Sequence, residues 1–386
     1  MPFYHTLGEL PKTKHTTFYK PDGKSLYREE LFSSKGFSGI YSTKYRHRMP
    51  TQVAKSREIA LHKDVSWPEA QVLYYHCYTD NLQAGGNFIT GRHSFLENNQ
   101  TIIGTARPTE DTDDFYRNAY AAEYIFVHHG QGVFKSDFGN IPFSDGDQII
   151  VPRAVTYQLK FHDFDNVKVL FIESGTAYEI PGKFRNEYGQ LEEHAPYSER
   201  DFRPPTELDA RDERGEHRII LKAGNRYFEQ VQPHHPFDVV GWDGFLYPYA
   251  FNIRDYHPKV GRIHLPPPVH IAWRTANFVL CNFCPRPFDF HKDAIPAPYV
   301  HSNIDSDEVL YYVEGDFMSR KGVKEGSITL HPGGMPHGPQ PGKTEASIGA
   351  EATDEYAVMI DTYSPLRPTK NVAETMDPDY ARSWLE

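Results

Sequence analysis

Cysteine is scarce: Cys77, Cys281 and Cys284 are the whole set in 386 residues. An odd, sparse set excludes a disulfide scaffold and suits a reducing compartment. Long apolar runs are missing too, so no membrane-spanning helix is expected. The opening Met1-Pro2-Phe3-Tyr4-His5 lacks the basic flank and apolar stretch of a signal peptide, and a cytoplasmic location is expected. Basic charge is in deficit, with 41 Lys and Arg against 52 Asp and Glu, a net charge of -11. Nucleic acids and anionic membranes both reward a basic surface, so neither is an expected partner. No GxGxxG or Walker loop is present, which leaves a nucleotide-dependent reaction without support.

What is present is turn-forming and aromatic: 30 prolines, 28 glycines and 14% aromatics, against six methionines. Many short elements joined by turns follow from that mixture, and a mainly β protein fits it better than a helical bundle. The length allows about two domains at roughly 150 residues each. Between Ser174 and Pro236 a charged, proline-rich stretch reads as a surface connection or extended arm. An aromatic region opens at Phe237, and a boundary is placed near residue 245, giving units 1–245 and 246–386.

The two units resemble each other. Glu308-Val-Leu-Tyr-Tyr-Val-Glu-Gly315 repeats the Glu-to-Gly spacing of Glu123-Tyr-Ile-Phe-Val-His-His-Gly130. Gly326 to Pro332 repeats Gly146 to Pro152, and the strand-like 355–363 matches 167–174. Three elements recurring in order, about 180 residues apart, predict a duplicated β module of jelly-roll or small-barrel type.

Glu-x6-Gly followed by Gly-x5-Pro-x-Gly-x2-His is the double motif of the cupin family, which the second module resembles through Glu308, Gly315, Gly326, Pro332, Gly334 and His337. His301 and Asn303 stand where cupins carry a His-x-His pair. The resemblance implies a bicupin whose metal ligands are His301, Glu308 and His337, with Asn303 in place of a fourth. Two imidazoles and a carboxylate leave coordination positions open, the arrangement of non-haem Fe(II) oxygenases. In the first module Tyr116, Asn118 and Tyr157 take the histidine positions and Glu123 alone remains, so no metal is assigned there.

The segment His331-Pro-Gly-Gly-Met-Pro-His337-Gly-Pro339 resembles the iron-binding loop of the homogentisate 1,2-dioxygenase family. So do Val239-Val-Gly-Trp-Asp-Gly244, Pro298-Tyr-Val-His301 and Asp361-Thr-Tyr363. The resemblance implies Fe(II) as cofactor, a small aromatic substrate and O₂ as partners, and a homo-oligomer, trimer or hexamer. It implies conversion of homogentisate to maleylacetoacetate in tyrosine and phenylalanine catabolism. An ungapped reading of the family puts Asp307 at the carboxylate position, while the distance to Gly315 favours Glu308. The family's proton acceptor, in a His-x-x-Pro segment, falls on His264, with His270 as competitor. His331, Phe317 and His337 itself are expected to border the substrate, and His331 has the further option of holding a metal ligand. Phe317 stands where the family has a tyrosine, which removes a hydroxyl donor unless Tyr311 or Tyr312 supplies one. A dioxygenase of gentisate or another hydroquinone acid would share every metal residue. A non-enzymatic ligand-binding or storage bicupin is the remaining alternative.

Other signals read as structure. Cys281-Asn-Phe-Cys284 has no second CxxC to complete a thiolate site and lies in an apolar run, so core cysteines are expected. His128-His129 and His234-His235 have no carboxylate at ligand spacing and are expected in solvated turns.

Overall fold

The computed structural model describes residues 3–61, 65–318 and 320–385, and these fold mainly as β-strands. Runs of β-branched and aromatic residues bounded by glycine and proline become the strands, as that composition favours. Lys168–Ser174 (KVLFIES) is buried along its whole length, so both faces of its sheet are covered.

The first module is built on two seven-stranded sheets. One runs Tyr249–Asn252, Asp147–Val151, Ala122–His129, Lys168–Ser174, Thr101–Ala106, Arg92–Glu97 and Arg367–Pro368. The other runs Gly139–Phe143, Gly132–Ser136, Thr156–Phe161, Phe115–Asn118, Arg214–Ala223, Arg226–His234 and Lys55–Ile59. The second module is built on a six-stranded sheet: Ile271–Arg274, Phe278–Phe283, Tyr356–Thr362, Asp307–Glu314, Ser327–His331 and Tyr75–Tyr78. The modules exchange edges, since Tyr75–Tyr78 caps the second sheet while Arg367–Pro368 caps the first. One hydrophobic core spans both, from Phe126 and Ile149 to Val309 and Ile328. Among its polar links, the Trp273 indole donates to Gln148 (2.8 Å), whose amide donates to Asn282 (2.9 Å). The architecture is a bicupin.

The repeat extends to strand register. Glu123 faces Val151 on one neighbour and Glu173 on the other. Glu308 likewise faces His331 and Asp361. The motif glycines turn the chain alike: Gly130 and Gly315 have φ of 128° and 101°, Gly146 and Gly326 of 85° and 77°. L-residues with a Cβ avoid that region. At Gly315 a Cβ would also lie 2.7 Å from the Glu355 backbone.

Two sequence expectations need correction. Residues 175–213 do run as an arm of turns and short 3₁₀ segments, but Arg214–Ala223 and Arg226–His234 form a hairpin inside the first module. Its charges mislead because they are paired across strands, as Arg218 is with Glu229 (2.6 Å), while Ile220 is buried in the main core and Ile219 on the other face against Phe115 and Phe237. The histidine pairs are also not solvated: His128, His234 and His235 are buried. Among the described residues no helix is long and apolar enough to cross a membrane.

Candidate active site

Strand alternation decides which side chains of Asp307–Glu314 meet the second module's cavity. Glu308, Leu310 and Tyr312 line it, and the intervening residues point away. The cavity holds about 550 Å³. His301 lines it, whereas His337, also expected to border the substrate, meets Glu308 without lining the cavity; their two loops are clamped by reciprocal backbone hydrogen bonds, each N–H donating to the other's carbonyl at 2.8 Å. Their Nε2 atoms each lie 3.4 Å from Oε2 of Glu308, and their ring centroids are 4.5 Å apart.

Donors and acceptors set the tautomers. Nδ1 of His337 faces the Met335 carbonyl at 2.9 Å, and Nδ1 of His301 faces that of Tyr299 at 3.3 Å. With Nδ1–H donating, both Nε2 lone pairs turn toward the carboxylate, an arrangement that a cation completes. Nε2 of His337 is buried without a hydrogen-bond partner. One ligand-capable atom from each of His301, Glu308 and His337 lies within 4.8 Å of the other two. Two imidazole nitrogens and one carboxylate oxygen fit a divalent transition-metal ion.

Burial alone would raise the Glu308 carboxyl, but the three imidazoles around it, His301, His331 and His337, hold it well below the usual carboxylate range. The adjoining Glu308 carboxylate favours the protonated ring and raises His301, against the effect of burial. Burial pushes His331 down to about 4, against the pull of Glu308. Asp361 is raised to about 7 by burial and by the charge of Glu308.

The other expected residues fall as follows. Asp307 turns away from the triad and accepts backbone N–H groups of Gly333 and Leu366, both at 2.7 Å. His331 is fully buried behind Glu308, with Nδ1 2.8 Å from Oε1 of Glu308 and Nε2 3.0 Å from the Tyr380 hydroxyl. Both ring nitrogens are thus engaged within the protein, and His331 does not line the cavity. His264 does, exposed at its mouth, with Nδ1 3.7 Å from Asp289 and its ring against Tyr299. His270 also borders the cavity but is buried against Phe283. Burial and the charge of Arg286 push it down to about 3. Phe317 packs edge-on against Tyr312 in the cavity wall. Tyr312 points its hydroxyl at Thr329 (3.3 Å), whereas Tyr311 points into the first module. Cys281 and Cys284 are free and buried.

Two residues at the sites carry roles with no assignment from the sequence. Asp361 lines the cavity and accepts from the Asn303 amide at 3.4 Å. Its signal was available, because the repeat places an acidic residue at the matching position, Glu173. Arg92 had no such signal. It enters the first module from outside the repeated elements and sits where the second module gathers its histidines. Its Nη1 lies 2.7 Å from Glu123, 3.3 Å from Glu173 and 3.1 Å from the Tyr116 hydroxyl, and its Nη2 donates to the Tyr157 hydroxyl at 3.1 Å.

Residues 73–253 match the N-terminal domain and residues 263–386 the C-terminal domain of homogentisate 1,2-dioxygenase. A Saccharolobus solfataricus protein, provisionally named a dioxygenase, is 41% identical over all of this chain and 99% of its own length. The homogentisate 1,2-dioxygenase of Bradyrhizobium diazoefficiens is 26% identical, over 70% of this chain and 63% of that enzyme, so the shared region spans less than two thirds of it. Among solved structures, a cupin 2 conserved barrel domain protein from Leptotrichia buccalis superposes with a TM-score of 0.34 at 12% identity, covering 81% of this chain and 99% of the other. With both domains of that family matched along one chain, this protein is an enzyme of the homogentisate 1,2-dioxygenase family.

Proposed function

We propose that the chain is an Fe(II)-dependent ring-cleaving dioxygenase that converts homogentisate and O₂ to maleylacetoacetate in tyrosine and phenylalanine catabolism. The observation that carries this reading is the pair of Nε2 atoms turned on Glu308 beside a 550 Å³ cavity, one of them buried and without a hydrogen-bond partner. His301, Glu308 and His337 would hold the iron. When bound, Fe(II) lets electron density pass between a phenolate and O₂, and both oxygen atoms end in the opened ring. In this reading residues 246–386 supply every residue of the site, and residues 1–245 its support.

The chain's own residues do the rest. His264 takes the phenol proton, with the Asp289 carboxylate 3.7 Å away to stabilise the imidazolium. His270 is the poorer base, since its environment favours the neutral ring so strongly. His331 fixes one oxygen of Glu308 and leaves the other for the metal. Phe317 and Tyr312 form an aromatic wall against the ring. We also propose a homo-oligomer, trimeric or hexameric, as the family resemblance implies.

Phe317 favours a second reading, a dioxygenase of gentisate or another hydroquinone acid, because a phenyl ring donates no hydrogen bond to a side-chain carboxylate. Oxygen uptake with added Fe(II), measured on homogentisate, gentisate and hydroquinone side by side, tests both. Uptake with homogentisate and release of maleylacetoacetate is the expected result. Consumption of gentisate but not homogentisate would replace the substrate, and no iron-dependent uptake with any of them would overturn the proposed reaction.

A further inference from the structure

His128-His129, for which the sequence offers no nearby carboxylate, meets one in the fold. Glu325 lies on the turn that leads into Ser327–His331 of the second module, 196 residues from His129. Its Oε1 is 3.2 Å from Nε2 of His128 and 2.6 Å from Nε2 of His129. Neighbouring residues of a regular strand point to opposite faces. Here the pairing with Lys168–Ser174 slips by one residue, since Lys168 faces His129 and Val169 faces Val127. The bulge sets the two rings side by side, stacked 4.4 Å apart, and aims both Nε2 atoms at one carboxylate oxygen.

Each ring is also held from behind. Nδ1 of His128 lies 2.6 Å from the Tyr311 hydroxyl, and Nδ1 of His129 lies 3.6 Å from Asp145. A hydroxyl or carboxylate behind the ring is the kind of outer partner that orients a metal-bound histidine with Nε2 toward the ion. Nε2 of His128 is buried and has no hydrogen-bond partner, although a carboxylate oxygen faces it. The nearby Lys168 ammonium is occupied by Asp80 at 2.9 Å.

We propose that His128, His129 and Glu325 form a second divalent-metal site, a Zn²⁺-type centre that staples the first module to the turn of the second. Ligand edges of about 3.3 Å, those of a tetrahedron with bonds of about 2.0 Å, require only a small opening of the observed contacts. Glu325 is exposed, so water reaches the remaining position. The site is separate from the iron triad, and its function is structural: it ties the strand carrying Glu123 to the one ending at His331.

The test is zinc uptake by the iron-loaded enzyme in equilibrium dialysis, with both metals quantified. The wild type should take up one further equivalent of Zn²⁺ and keep its iron. Glu325→Gln and His129→Gln should keep their iron and take up no zinc. The His301→Ala/His337→Ala variant, without the iron triad, should still bind one equivalent, which separates this site from the dioxygenase reading. Zinc should raise the thermal midpoint of the wild type and leave that of Glu325→Gln unchanged. No uptake by the wild type, or equal uptake by Glu325→Gln, would overturn the proposal.

Discussion

In the first barrel Glu123 faces the Arg92 guanidinium at 2.7 Å, while in the second Glu308 faces two imidazole nitrogens at 3.4 Å. Both carboxylates hold the same strand position, with matched neighbours on either side, and both are buried. A buried carboxylate needs a cation or strong hydrogen bonds. The first barrel builds the cation in. Arg92 is fixed among Phe88, Tyr116 and Phe171, and the Tyr116 and Tyr157 phenols fill the places where imidazoles would stand. The second barrel leaves that place to imidazoles, which bring no permanent charge, and opens it to a cavity. One fold thus yields a sealed structural core and, under the proposed function, an open cation site, through the choice of side chain opposite a single glutamate.

The largest expected effect comes from breaking the second arrangement. His301→Ala or His337→Ala should abolish iron retention and cut oxygen uptake by more than the roughly 100-fold that loss of an outer partner costs a metal site. Elemental analysis beside the uptake assay reads both, and unchanged iron content would refute the ligand assignment. Breaking the first arrangement should cost stability and leave iron in place. Arg92→Met strands Glu123 in the core, with an expected loss of about 3–5 kcal/mol in chemical denaturation. Adding Glu123→Leu should recover part of it, since an uncharged pair is easier to bury. A loss below about 1 kcal/mol would mean that Arg92 is not the cation that replaces a metal there.

The sequence made the repeat legible because spacing survives where residue identity does not: the Glu-to-Gly and Gly-to-Pro intervals reappear as matched registers and matched positive-φ glycines. It also brought His301, Glu308 and His337 into one motif. What it concealed depends on contacts between distant segments. Arg92 precedes the repeated elements, Tyr380 follows them to meet His331 from 49 residues away, and Glu325 reaches His129 across the module boundary. The hairpin at 214–234 was masked differently, since its charges look like those of a loop until cross-strand pairing neutralises them. Tyr311 and Tyr312 show the limit within one strand: adjacent and chemically alike, they face different modules by alternation alone.

The smallest expected effect concerns His270, and it separates the barrels by pH. Burial holds this ring near 3 in the folded state, against about 6.5 when unfolded. Below about 6.5 the unfolded chain binds a proton that the folded chain refuses, so the wild type loses stability as pH falls from 6.5 toward 3. Between pH 6.5 and 5.5 that loss is about 1 kcal/mol for a single group of this kind. His270→Gln removes the titration, so urea denaturation at the two pH values should show the wild type falling by that amount relative to the variant. Arg92→Met strands carboxylates instead of an imidazole, so its deficit should shrink between pH 6.5 and 5.5 as the stranded Glu123 takes up a proton, the opposite sense to His270. His270→Gln should also retain oxygen uptake within a few-fold, whereas His264→Gln should lose most of it and regain part as pH rises and the phenol ionises unaided. The reverse outcome would move the proton acceptor from the cavity mouth to its buried wall.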